Sequence, residues 1–272
     1  MVLNAEQPTL VIGDIHHRTK LADVVLKKHA GRYNQIVFLG DYFDAYGDSP
    51  DLMRQTCHWL AGSIQLPNRI HLLGNHEVPY FLPAHSQAKC PGWTPEKQQL
   101  FEQERSNLPL ESFNLTACLG PWFLSHAGIP EVHVLGRDSV ALSNRIEAEF
   151  GRVRSGENSW IFDRGTARGG TAKIGSLLWQ DWSREFRPVA GLNQIIGHTP
   201  ARGAARGKCL TTAGVHRQFE LMEPSPFPRL AKLPQPGGEW SSVNWCLDTE
   251  QIFSGLVERG ELALVTDARA IS

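Results

Sequence analysis

Three times before residue 78 a short apolar run ends at a glycine and is followed at once by residues of metal-ligand type. Leu10-Val11-Ile12 runs into Gly13-Asp14-Ile15-His16, Ile36-Val37-Phe38-Leu39 into Gly40-Asp41-Tyr42-Phe43-Asp44, and Ile70 to Leu73 into Gly74-Asn75-His76-Glu77. Between them, residues 18–30 (Leu21, Val24, Val25, Leu26) and 50–62 (Leu52, Met53, Leu60) carry apolar positions at helical spacing. Strand, helix, strand, helix, strand at this pitch implies βαβ units and a parallel sheet with right-handed crossovers. In such sheets the carboxyl ends of the strands are where sites form, so the three loops are expected to converge.

The later chain adds two more loops of the same kind, Ser125-His126-Ala127-Gly128 and Gly197-His198-Thr199-Pro200. Residues 94–107 read as a helix opened by Thr94-Pro95-Glu96, and 137–150 as another. Phe113 to Cys118 and Trp122 to Ser125 read as a β-hairpin around Leu119-Gly120-Pro121. Gln194–Ile196, Trp245–Leu247, Ile252–Val257 and Leu262–Val265 read as strands. Five of the 17 prolines fall in residues 223–237, which predicts a loop or flap there. The strands beyond it belong to the same core, so the chain reads as one domain over residues 1–272.

Composition narrows the function classes. An apolar fraction of 41% and a charged fraction of 20% describe a globular protein. Twenty-seven basic against 28 acidic residues leave a net charge of -1, without the basic excess of a non-specific nucleic-acid binder. No apolar run approaches the ~20 residues of a membrane span. Met1 to Gln7 lacks the basic and apolar regions of a signal peptide, so a cytoplasmic location is expected. The five cysteines (57, 90, 118, 209 and 246) form no CxxC pair and read as reduced thiols.

Asp14, His16, Asp41, Asn75, His126 and His198 offer only oxygen and nitrogen donors, a set suited to Mn²⁺, Fe or Zn²⁺ rather than to thiolate-selected metals. Six ligands exceed what one ion uses. Two ions bridged by a carboxylate, ~3.5–4 Å apart, would use them all and would serve displacement at phosphorus.

GDIH, GDYFD, GNHE, SHAG and GHTP, in this order, resemble the calcineurin-like metallophosphoesterase superfamily. The closest branch is that of serine/threonine phosphoprotein phosphatases and bacterial diadenosine tetraphosphatases. Weaker echoes lie in Leu177-Leu178-Trp179 and Leu247-Asp248-Thr249, so the likeness spans about residues 10–265. It implies an α/β fold, a four-layer sandwich of two mixed β-sheets flanked by helices. It also implies two divalent metals, Mn²⁺ foremost, with Asp14 and His16 on the first, Asp41 bridging, and Asn75, His126 and His198 on the second. His76 would be the general acid, oriented by Asp44, while a metal-bound hydroxide attacks phosphorus. The expected substrate is a phosphomonoester, a small metabolite or a phosphoprotein. The alternatives are a dinucleoside polyphosphate or phosphodiester, or more remotely a binding scaffold, against which the intact ligand set argues.

Three positions depart from the phosphoprotein phosphatase pattern. His17 follows DxH in place of Gly, Ala45 follows GDxxD in place of Arg, and Leu73 precedes GNHE in place of Arg. Those arginines would grip a monoester phosphate bidentately. Arg184 is the first candidate to replace them, then Arg164 and Arg168 in a glycine-rich stretch, while His17 could reach a substrate oxygen. Trp93, Trp160, Trp179, Trp182 and Trp240 are candidates to wall a substrate pocket.

Overall fold

Strands β2 (Thr9–Ile12), β3 (Gln35–Phe38) and β4 (Arg69–Leu72) are buried on both faces, which is why they read as continuous apolar runs and not as alternating ones. The alternation is still present, but it separates two apolar environments. Val11, Val37, Ile70 and Leu72 meet Ala117, Leu119, Leu124 and Ile195 of a second sheet, whereas Leu10, Ile12, Ile36 and Phe38 pack with Val25, Leu26, Met53 and Leu60 of helices α1 (Thr19–Lys28) and α2 (Pro50–Ser63). Each such side chain contributes about 1.5–3 kcal/mol relative to exposure.

The structure is a computed structural model that describes residues 1–45, 47–85, 89–200, 220–222, 228–235, 240–249 and 253–266. One sheet has six strands in the order β13 (Glu261–Thr266), β12 (Phe253–Glu258), β2, β3, β4 and β5 (Phe113–Asn114), parallel from β2 to β5 and antiparallel at the other edge. The other has seven, in the order β1 (Val2–Leu3), β6 (Thr116–Leu119), β7 (Trp122–Ser125), β8 (Asn193–Ile196), β11 (Trp240–Cys246), β10 (Arg229–Pro234) and β9 (Glu220–Met222), again mixed. Helix α5 (Ser139–Arg154) covers the seven-stranded sheet through Leu142, Ile146 and Phe150, and α4 (Pro95–Glu104) packs on α2. The short α3 (Val78–Phe81) follows the GNHE loop. Two mixed sheets flanked by helices make the expected α/β sandwich.

Two expectations are corrected. Phe113 to Cys118 is not one hairpin arm: β5 pairs in parallel with β4, the chain crosses between sheets at Leu115, and only β6 pairs antiparallel with β7. The crossing is held by Glu147, whose carboxylate accepts from the amides of Leu115 (2.8 Å) and Thr116 (2.7 Å). The proline-rich segment is not all loop, because residues 229–234 form β10, paired on both sides by β9 and β11. Pro228 precedes the strand and Pro234 sits at its end, where the register shifts, so neither proline removes a hydrogen bond from the strand interior. Residues 223–227 and 236–237 lie outside the described residues. Helix α5 begins at Ser139 because the Asp138 carboxylate caps it, accepting from Val140 and Ala141.

Cys57, Cys90, Cys118 and Cys246 are free and buried, and Cys209 lies outside the described residues. Among the described residues no helix is long and apolar enough to cross a membrane.

Candidate metal centre

The four glycine-led loops and the Ser125–Gly128 loop meet at one place. His16 (φ 43°), His17 (φ 63°), Asp41 (φ 51°), Asp44 (φ 57°) and His198 (φ 70°) all adopt the left-handed backbone region, and only Arg259 does so elsewhere among the described non-glycine residues. Each costs of order 1 kcal/mol or more, and such strain collects where side chains must be aimed. Two of the glycines are obligatory contacts. A Cβ on Gly74 would lie 2.2 Å from Asp41 Oδ1, and one on Gly197 would lie 2.2 Å from Asp14 Oδ1.

The loops are laced together by their own polar groups. The carbonyl of Asp41 accepts from the amides of Ile15 (3.0 Å) and His16 (2.7 Å), and Asp41 Oδ1 accepts from the His76 amide (3.0 Å). Asp14 accepts from the His198 amide through both oxygens (3.0 and 3.1 Å). Glu77 is a staple to which the sequence reading gave no role. It is fully buried and accepts from the amides of Asp41, Tyr42, Phe43 and Gly74 at 2.8–3.2 Å.

Asp41 faces two donor sets. Its Oδ2 lies 3.7 Å from His16 Nε2, which also sees Asp14 Oδ2 at 3.8 Å. Its Oδ1 lies 3.3 Å from His126 Nε2, which is itself 3.0 Å from Asn75 Oδ1 and 3.1 Å from His198 Nδ1. The ligand atoms of His16, Asp41 and His76 are mutually close, as are those of Asp41, His126 and His198. The six residues read as ligands thus come together, and His76 joins the first group.

Backbone carbonyls fix the rings. His16 Nδ1 donates to the carbonyl of Asp44 (2.5 Å) and His126 Nδ1 to that of Leu39 (2.9 Å), which turns each Nε2 toward Asp41. Burial opposes charge on His126, yet Asp41 and Asp14 outweigh it and raise its pKa to about 9. Burial likewise opposes charge on Asp41, but His126, His76 and His16 hold its carboxyl well below the usual range. Burial, and then the neighbouring Asp248, push Asp14 well above it. Asp248 is a further acidic group the sequence signalled only through Leu247-Asp248-Thr249.

His76 stands beside this cluster, its ring edge-on to His16 at 4.9 Å between centroids and its Nε2 4.0 Å from Asp41 Oδ2. Its Nδ1 donates to Asp44 Oδ2 (3.3 Å), the contact expected of that pair. Asp44 also accepts from Tyr80 Oη (2.7 Å) and Lys97 Nζ (3.1 Å). Burial would lift its carboxyl, but these partners keep it below the ordinary value.

The chain matches the calcineurin-like phosphoesterase family over residues 7–220. The chain belongs to the calcineurin-like phosphoesterase family. Solved structures similar to it include a protein serine/threonine phosphatase from Saccharomyces cerevisiae (14% identity, TM-score 0.40, covering 89% of this chain and 79% of that one). A metallophosphoesterase from Sphaerobacter thermophilus is another (14% identity, TM-score 0.42, covering 96% and 88%). No curated protein sequence matches it. As a calcineurin-like phosphoesterase it is a metal-dependent hydrolase acting on phosphorylated substrates.

The residues present fit a metal. Around His126 Nε2 stand three acceptors, and one proton on that ring can satisfy only part of them, whereas a dication attracts all four atoms at once. His198 Nε2 is buried with no hydrogen-bond partner among the described residues.

The substrate-side candidates fall in different surroundings. Arg184 is exposed and donates to the carbonyl of Ala167 (3.3 Å), and Asp181 Oδ1 accepts the amides of Ser183 and Arg184. Arg168 is the better placed. It pairs with Asp181 (2.9 Å), donates to Thr199 Oγ1 (2.9 Å), and with burial its charge drives His198 well below the usual imidazole range. Arg164 lies over Trp179, whose ring meets His198 edge-on at 6.0 Å. His17 does not reach outward. Its side chain is 2% exposed, with Nδ1 at 2.7 Å from Thr56 Oγ1 and Nε2 at 2.8 Å from Asp48, and burial lowers its pKa to about 4. Of the tryptophans, Trp179 is the one in ring contact with a site residue; Trp160 stacks on His133 and Trp182 on Phe186.

Proposed function

We propose that this phosphoesterase is a phosphomonoesterase that works as one domain with two divalent metals, Mn²⁺ foremost. Asp14 and His16 would hold the first ion, Asn75, His126 and His198 the second, and Asp41 would bridge. The observation that carries this is the division of Asp41, with Oδ2 toward His16 and Oδ1 toward His126. Bound there, two dications would supply an acidified water and charge neutralisation at phosphorus.

The chain's own groups do the rest. His76 is the general acid: Asp44 accepts from its Nδ1 and leaves Nε2 to give its proton to the departing oxygen. Arg168, pinned by Asp181 and Thr199, takes a phosphoryl oxygen at the His198 end. A cytoplasmic location agrees with four buried free thiols.

A dinucleoside polyphosphate or a diester is the second reading. What favours it is the lack of a clamp beside GDxxD: Ala45 occupies the arginine position, and the buried Lys97 is committed to Asp44 and Asp48.

The test is hydrolysis of p-nitrophenyl phosphate, bis-p-nitrophenyl phosphate and diadenosine tetraphosphate by metal-stripped protein before and after Mn²⁺. Mn²⁺-dependent cleavage of the monoester is expected. Arg168→Ala should raise its KM about tenfold, the loss of one charge-assisted hydrogen bond, and Arg184→Ala should leave it unchanged. Preference for the diester or the dinucleotide would install the second reading. Silence on all three with metal bound would sink both.

A further inference from the structure

Outside the five ligand-bearing loops, one segment touches the site from behind at two places. Cys90-Pro91-Gly92-Trp93-Thr94-Pro95-Glu96-Lys97 runs into α4 and belongs to none of the motifs. At its first residue, Cys90 Sγ donates to the backbone carbonyl of Asn75 (3.3 Å) and accepts from Asn75 Nδ2 (3.3 Å). The amide nitrogen is therefore turned to the sulfur, and Oδ1 is turned to His126 Nε2. At its last residue, Lys97 Nζ reaches Asp44 Oδ1 (3.1 Å) and both oxygens of Asp48 (2.6 and 2.7 Å).

We propose that this strap positions the Asn75–His76 pair: Cys90 selects which face of the Asn75 amide looks into the metal centre, and Lys97 fixes the carboxylate that holds His76. The proposal rests on the reading of Asn75 as a ligand and His76 as the acid.

The strap is built for close approach. Gly92 has φ +95°, and a Cβ there would lie 2.9 Å from Asp44 Cβ, so only glycine lets the chain pass. The carbonyl of Gly92 accepts from Lys97 Nζ, which ties the two ends together. Thr94 caps α4 by accepting from the Lys97 amide (3.2 Å), and Phe101 anchors the helix against Phe43, Tyr80 and Phe81. Lys97 is 2% exposed and Cys90 3%, so neither is offered to substrate.

An Asn side chain has no charge to choose its own face. Were it to turn over, an NH₂ group would replace an oxygen donor, and a divalent cation would be repelled. Outer partners of metal-site residues are worth about 10–100-fold in affinity. Asp44 presents a parallel case. Its Oδ1 is fixed by Tyr80 and Lys97, which leaves Oδ2 for His76.

The experiment measures Mn²⁺ binding and catalysis separately, on the full chain. Cys90→Val removes donor and acceptor and adds one methyl group, Cys90→Ala removes them without adding volume, and Cys90→Ser restores both. One of two Mn²⁺ should bind about 10–100-fold more weakly in Cys90→Val, the other unchanged, with recovery in Cys90→Ser. Both ions binding as in wild type in Cys90→Val with an unaltered melting curve would overturn the Cys90 role. Should Cys90→Val fail to fold, Cys90→Ala is read the same way. Lys97→Met is made together with Asp48→Asn, so that no unpaired buried charge is left, and Lys97→Arg is the conservative control. The double variant should lose at least tenfold more kcat on phenyl phosphate than on p-nitrophenyl phosphate, with Mn²⁺ stoichiometry intact. Equal losses on the two esters would overturn the Lys97 role. Wild type that binds no Mn²⁺, or hydrolyses neither ester, would instead refute the underlying metal and acid assignments.

Discussion

Asn in place of Asp41 is expected to abolish turnover and to loosen both ions. The change is nearly isosteric, so the fold survives, but it removes the charge between the two donor sets. Oδ1 must stay an oxygen, because it accepts the His76 amide at 3.0 Å. The new NH₂ then falls on the Oδ2 side, toward His16 Nε2, where an ion would need a lone pair. Metal ions supply several kcal/mol of transition-state stabilisation, and each 1.4 kcal/mol is tenfold, so kcat should fall by about a thousandfold or more. Equilibrium dialysis with Mn²⁺ beside steady-state kinetics is the measurement. Activity within about threefold of wild type, under 1 kcal/mol, would refute the bridging role.

His76→Asn should separate substrates rather than silence the enzyme. Its side chain is 14% exposed, and the backbone amide that it gives to Asp41 does not depend on the ring, so the loop keeps its shape. A general acid contributes about 10²–10⁴-fold where the departing oxygen needs a proton. Phenyl and alkyl phosphates need it; p-nitrophenolate hardly does. The expected result is a loss of that size on the former and about tenfold or less on p-nitrophenyl phosphate. Equal losses would reassign His76 to the first donor group, alongside His16 and Asp41.

The convergence of the loops was legible because period and punctuation agree: a doubly buried strand, a glycine that the neighbouring loop requires, then a donor. Gly74 and Gly197 show the cause, since a Cβ at either would strike a carboxylate of another loop. What stayed hidden lies where sequence distance carries no signal. Glu77 spends its carboxylate on four backbone amides, and nothing in GNHE distinguishes that from catalysis. Cys90 and Lys97 reach Asn75 and Asp44 only through the packing of α4. Nothing in the sequence around Arg184 shows that Asp181 accepts its amide in a turn. Strand β10 was obscured by Pro228, which precedes it, and Pro234, which is its last paired residue.

The donor atoms come from both layers of the sandwich: Asp14, His16, Asp41 and Asn75 follow strands of the six-stranded sheet, His126 and His198 strands of the seven-stranded one. An ion held by both groups would therefore be a further suture between halves that meet through apolar side chains and a few hydrogen bonds such as His126 to Leu39 and His198 to Asp14. Ligand that binds only the folded chain stabilises it by about 2.7 kcal/mol at a hundred times Kd. The lifetime of this protein should then follow the supply of divalent metal as well as its catalysis. A chelator should lower the melting temperature by several degrees, and an unchanged melting curve would show the halves to be closed without the suture.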